Sequence, residues 1–154
     1  MALSPADRER FRLFRHTLPE LVNETVRRNG ALKMHTDHAV PLERNREMLA
    51  YYRSRLEAEF PGRHVIFGHI GDAHVHVNIF CDPANPAHAS DLLIEFARHA
   101  VELGGTVSAE HGLGKRKAHL LALQYAPEHL EAMRAVKRRL DPREILGRGT
   151  LWAS

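Results

Sequence analysis

The chain has 154 residues, 44% hydrophobic and 27% charged, with a formal net charge of +3 and a pI near 9.3. That is the profile of one soluble globular domain with a single core, and no apolar run approaches the roughly 20 residues a spanning helix needs. A lone Cys81 excludes an internal disulfide, and basic residues spread along the chain without a stacking module argue against a nucleic-acid reader.

Met1 to Asp7 lacks the basic and then apolar pattern of a secretory signal, so the expected setting is the cytoplasm. Peripheral association at the inner membrane is kept as an alternative. The densest basic cluster, Lys137-Arg138-Arg139, reads as a solvated helix end beside the negative pole of the helix dipole.

In chain order, Ser4-Pro5-Ala6-Asp7 predicts a capped helix start with proline in the first turn, opening a helix that carries Phe11 and Phe14. A second helix is expected from Pro19 to Arg28, stopped by Asn29-Gly30. Ala31 to Val40 reads as a first strand, closed by Pro41. Met48, Leu49, Tyr52, Leu56 and Phe60 recur at helical spacing before Pro61-Gly62.

His64 to Ile70 and Ala73 to Cys81 are β-rich runs that flank Gly71-Asp72, the pattern of a hairpin with His69 opposite His74. In the second run Val75, Val77, Ile79 and Cys81 alternate with His74, His76, Asn78 and Phe80, so one face is apolar and the other polar. Ser90 is the expected cap of a helix ending at Gly104-Gly105. Thr106 to His111 is the expected fourth strand. A short helix through Leu123 follows, and another from Pro127 to Leu140 ends at Asp141-Pro142.

These elements predict a single α+β domain over residues 1–154, with a ferredoxin-like antiparallel sheet of β-α-β-β-α-β order and extra N- and C-terminal helices. Helices would cover one sheet face and leave the other to a partner. In such a four-stranded sheet Glu110, at the end of strand four, need not approach His69.

Two segments concentrate the chemistry: Gly68-His69-Ile70-Gly71-Asp72-Ala73-His74-Val75-His76-Val77-Asn78, and Ser108-Ala109-Glu110-His111-Gly112-Leu113-Gly114. Neutral imidazoles with a carboxylate suit a divalent cation such as zinc or manganese. The structural reading stands beside this one. His69 fits a hydrogen-bonded strand residue, and Glu110-His111 a turn that uses glycine for backbone freedom. A stand-alone metal-binding or metallohydrolase module of ferredoxin-like fold would use the same residues on water.

Residues 68–78 and 108–114 resemble the C-terminal domain of the FAD-linked oxidases and dehydrogenases that act on D-2-hydroxy acids. The family patterns are Gly-His-x-Gly-Asp-Gly-Asn-x-His-x-Asn and Ser-x-Glu-His-Gly-x-Gly. Lys33 to Pro41 is similar to the family's Lys-x-x-x-Asp-x-x-x-Pro, and Lys137 to Pro142 to its closing Lys-x-x-x-Asp-Pro. Where the family has Gly-Asn, this chain has Ala73-His74.

The resemblance implies His69, His76 and Glu110 as ligands of a zinc or manganese ion, and His111 as general base. Arg15, Lys33 and Asn78 would hold a small 2-hydroxy acid. It implies FAD, bound mainly by a domain or subunit that this chain does not contain, so the isolated chain is expected to be inactive. A homodimer is a further expectation, and the electron acceptor is left open.

Overall fold

The computed structural model describes residues 4–152. A single helix, α1 (Pro5–Arg28), stands where two were expected. Ser4 caps it, its Oγ accepting the Asp7 N–H at 3.1 Å. Pro19 lies inside the helix and withholds one N–H, yet the helix continues through it. The helix is nearly all exposed, only Val22 being buried, and it carries Phe11, Leu13, Phe14 and Leu21 on its surface.

Three strands follow: β1 (Leu32–His35), β2 (His64–His69) and β3 (His74–Cys81). They form one antiparallel sheet of order β1-β3-β2. The first strand is shorter than the extended run Ala31 to Val40. Its pairing passes to a side chain at Thr36, whose N–H donates to the Val77 carbonyl and whose hydroxyl accepts the Val77 N–H, both at 3.0 Å.

The fourth strand expected at Thr106 to His111 is not formed. Ala39 and Thr106 make an isolated antiparallel bridge (Thr106 N to Ala39 O, 2.8 Å), after which the chain turns away. The cause is a carboxylate: the N–H groups of Ala109, Glu110 and His111 all point at Asp37, which a ladder does not permit. The mixed α+β class holds, with a three-stranded sheet in place of the four-stranded ferredoxin-like one.

Helices α2 (Asn45–Glu59) and α3 (Ala87–Glu102) cover one face of the sheet. Helix α3 begins three residues before Ser90, which lies inside it. Val75, Val77, Ile79 and Cys81 pack here against Met48, Tyr52, Leu56, Leu92 and Phe96, with the Tyr52 and Phe96 rings edge-to-face at 4.7 Å. This is the apolar register read from the alternation in β3. Burial also raises the pKa of the Cys81 thiol, which makes it a core residue rather than a nucleophile.

A second cluster joins Ala97 and Val107 to Leu113, Leu120 and Leu121, so that α3, the short α4 (Leu121–Gln124) and the loop after the missing strand share a core. The last helix, α5 (Pro127–Leu140), ends at Asp141. That carboxylate pairs with Lys137 and accepts the N–H groups of Ile145 and Leu146. Among the described residues no helix is long and apolar enough to cross a membrane.

Candidate metal centre and active site

The β2–β3 register places His69 directly opposite His74, as the hairpin pattern predicted. The connection is one 3-10 turn, Ile70–Asp72, followed by Ala73 in the left-handed region (φ 50°). A glycine would adopt that conformation without strain. Gly68, just before His69, is obligatory: a Cβ there would lie 2.8 Å from both the His74 carbonyl oxygen and the Val75 Cα.

Strand alternation then puts His69, His74, His76 and Asn78 on the face away from the core. Asp37 supplies the third wall. Its side chain is fully buried and accepts the Ser108 hydroxyl at 2.7 Å and the N–H groups of Ala109 and His111 at 3.2 and 3.0 Å. Glu110 is thereby turned back over the sheet.

The Glu110 carboxylate ends at the centre of four imidazoles. Its Oε1 is 3.2 Å from both His69 Nε2 and His74 Nδ1, and its Oε2 is 3.8 Å from His76 Nε2 and 4.0 Å from His111 Nε2. The four-stranded topology did not require Glu110 to approach His69; here the segment is a loop, and the two meet at 3.2 Å. Two trios have ligand atoms within 4.8 Å of one another: Asp37, His74 and His76, and His76, Glu110 and His111. His69 belongs to neither and meets the cluster through Glu110.

Burial and hydrogen bonding set the charge states. Burial alone would raise the Asp37 pKa, but the Ser108 hydroxyl, the backbone N–H groups of His111 and Glu110, and the His111 charge hold it below its ordinary value. Burial lowers the pKa of His76, outweighing the Thr36 carbonyl that raises it. A carbonyl only accepts, so His76 Nδ1 donates to Thr36 O (3.3 Å) and its Nε2 carries the lone pair that faces Glu110.

Beside this cluster a cavity of about 220 Å³ is lined by Lys33, His35, His38, Arg116, Lys117 and His119, among apolar neighbours and with no carboxylate. Burial lowers the Lys117 pKa there, against the raising charge of Asp37. Burial, helped by the Lys117 charge, takes His38 down to about 4. His35 joins cavity and cluster, its ring lying edge-on to His111 at 6.0 Å.

The sequence candidates are therefore placed unevenly. His69, His76, Glu110 and His111 come together, and Asn78 lies on the same face with a buried Nδ2 that has no hydrogen-bond partner among the described residues. Lys33 lines the cavity and donates to Asn23 Oδ1 on α1 at 2.6 Å. Arg15 is exposed on α1, and its side chain makes no hydrogen bond or ion pair with the described residues. Asp37 was missed as a working residue. Its signal was the spaced Lys33, Asp37 and Pro41, which carry no chemistry until the fold brings residues 108–111 to Asp37.

The donor set fits a divalent ion. Four imidazoles surround one carboxylate, one imidazole has its second nitrogen already anchored on a carbonyl, and the Glu110 and His69 side chains are about two-fifths exposed, so a ligand can reach them.

Comparison with known proteins gives a consistent picture. The family model for FAD linked oxidases, C-terminal domain, matches residues 1–151. The chain is 34% identical over 134 residues to the mitochondrial D-2-hydroxyglutarate dehydrogenase of Bos taurus, covering 84% of this chain and 23% of that protein. It is 38% identical over 90 residues to glycolate oxidase subunit GlcD of Bacillus subtilis (strain 168), covering 56% and 19%. With the D-lactate dehydrogenase of Anaerostipes hadrus the identity is 32% over 132 residues, covering 83% and 28%. The chain thus spans about a quarter of the length of these relatives. By the match over nearly its whole length, it belongs to the C-terminal domain family of the FAD-linked oxidases.

Proposed function

We propose that this chain is the substrate-binding, catalytic cap of an FAD-dependent, metal-assisted dehydrogenase that converts a D-2-hydroxy acid to the 2-oxo acid. The observation that carries the reading is the Glu110 carboxylate at the centre of His69, His74, His76 and His111. His69, His76 and Glu110 would hold a zinc or manganese ion. FAD would be held mainly by a partner domain or subunit, and the chain alone would not turn over.

When bound, the metal supplies Lewis-acid polarisation of the substrate hydroxyl and the flavin supplies a two-electron acceptor. The chain's own residues do the rest. His111, more than half exposed at the rim of the cluster, is free to take the hydroxyl proton as general base. The orphaned Asn78 Nδ2 offers a buried donor to a substrate oxygen. Lys33 and the cationic cavity beside it suit the carboxylate; Arg15, exposed on α1 and outside that cavity, would join them only by the family resemblance.

The test is ligand binding by the zinc-loaded full chain, followed by NMR at the imidazole resonances. D-2-hydroxy acids are expected to perturb His69, His76 and His111 only when zinc is present, and the L enantiomers to do so more weakly. Zinc-dependent hydrolysis of esters or phosphoesters without flavin would instead favour a metallohydrolase.

A further inference from the structure

We infer that His74 is a fourth protein ligand of the metal, through Nδ1, and that Asp37 holds it in place from its other nitrogen. This rests on the reading of His69, His76 and Glu110 as metal ligands and adds to it a residue the family pattern does not have.

His74 is 4% exposed, and its ring has a carboxylate at each nitrogen. Nε2 lies 3.4 Å from Asp37 Oδ1, close to that carboxylate but without a hydrogen-bond partner among the described residues, and Nδ1 lies 3.2 Å from Glu110 Oε1. A neutral imidazole carries one ring proton, and the buried Asp37 carboxylate favours it on Nε2. The Nδ1 lone pair then faces an oxygen of Glu110.

His76 repeats the arrangement. Its Nδ1–H is committed to the Thr36 carbonyl, so its Nε2 lone pair faces the other Glu110 oxygen. With the His74 proton on Nε2 and the His76 proton on Nδ1, two imidazole lone pairs face the Glu110 oxygens at 3.2 and 3.8 Å, an arrangement that a cation among them would relieve. A carboxylate behind a histidine is also the usual support of a metal-bound imidazole.

Asp37 itself is a poor ligand, although it forms a compact trio with His74 and His76. Its oxygens already accept the Ser108 hydroxyl and the N–H groups of residues 109–111. Its place is therefore behind His74.

The buried position of His74 separates it from His111, which is exposed and free for proton transfer. Three imidazoles and one carboxylate favour a nitrogen-seeking cation, zinc over manganese. His74 is then a specificity-determining residue for the ion.

X-ray absorption on the zinc-loaded full chain counts the imidazoles directly, and three are expected. Calorimetric titration with zinc chloride and manganese chloride gives the energetic counterpart. His74→Asn should weaken zinc binding at least about tenfold and manganese binding less, and Asp37→Asn should weaken zinc binding about tenfold or more. His69→Asn is the control for the metal site itself. Two imidazoles around zinc, or zinc binding unchanged in His74→Asn but weakened in His69→Asn, overturns the role of His74 and leaves the metal reading intact. A wild-type chain that takes up neither ion overturns both.

Discussion

Asp37 joins the first strand to the loop that carries the reactive residues, and it does so with one buried carboxylate. Asp37→Ala would leave the Ser108 hydroxyl and the N–H groups of Glu110 and His111 without their acceptor, while the Ala109 N–H keeps the backbone carbonyl of residue 37 at 2.8 Å. Buried donors left unsatisfied cost about 1 to 3 kcal/mol each, partly recovered by relaxation and water. We expect a loss of about 3 kcal/mol or more in urea unfolding, with Asp37→Asn losing less.

Acid has a related effect. Because the Asp37 pKa is lowered in the fold, its stabilisation is present above the ordinary carboxylate range and is lost as pH falls through the depressed value. His38 acts at higher pH. It stays neutral in the fold down to about 4, whereas an unfolded imidazole takes a proton near 6.5. The unfolded state binds more protons between those values, so the His38 contribution lowers stability as pH drops from about 6.5 to 4 and is constant below. The contribution is on the order of 3 kcal/mol. Urea midpoints for wild type and His38→Gln across this range should diverge, the variant showing the shallower slope, and parallel curves would contradict the assignment.

At the level of elements, close approaches at Gly68 and Gly105 position the site. A Cβ on Gly105 would lie 2.2 Å from the Ala39 carbonyl oxygen, the atom that accepts Thr106 N–H. Gly105→Ala should therefore cost about 1 to 3 kcal/mol, with the Asp37-bound loop the first part to loosen in hydrogen exchange. A surface change behaves differently. Phe14 is 76% exposed on α1, so Phe14→Ser should move thermal stability by no more than about 0.5 kcal/mol.

The same elements mark what a sequence can and cannot tell. The hairpin, its register, the apolar face of β3 and the Pro127–Leu140 helix follow from periodicity and turn residues, which are local. Pro19 was read as a boundary because a proline costs a helix a hydrogen bond, but the flanking residues carry the helix past it. The strand at Thr106 to His111 looked sound by propensity. It failed because one carboxylate 72 to 74 residues earlier in the chain gathers its N–H groups. The candidate site was legible by the same division: the histidines by pattern, the role of Asp37 only in space.

Across the whole molecule, helices bury one face of a small sheet, and the other face carries charged and hydrogen-bonding groups around Glu110. Such a face costs stability unless a ligand satisfies it, so binding to the native state must raise its stability. The chain covers about a quarter of the relatives it matches, and the proposed metal site can be tested in this chain by itself. The decisive measurement is metal stoichiometry of the purified full chain, equilibrated with zinc at neutral pH and analysed after removal of loose metal. One ion per chain is predicted for wild type, with loss of that ion in Glu110→Gln and His76→Asn while both variants stay folded. A wild-type chain that retains no ion, or variants that retain it fully, would contradict a metal centre built on Glu110.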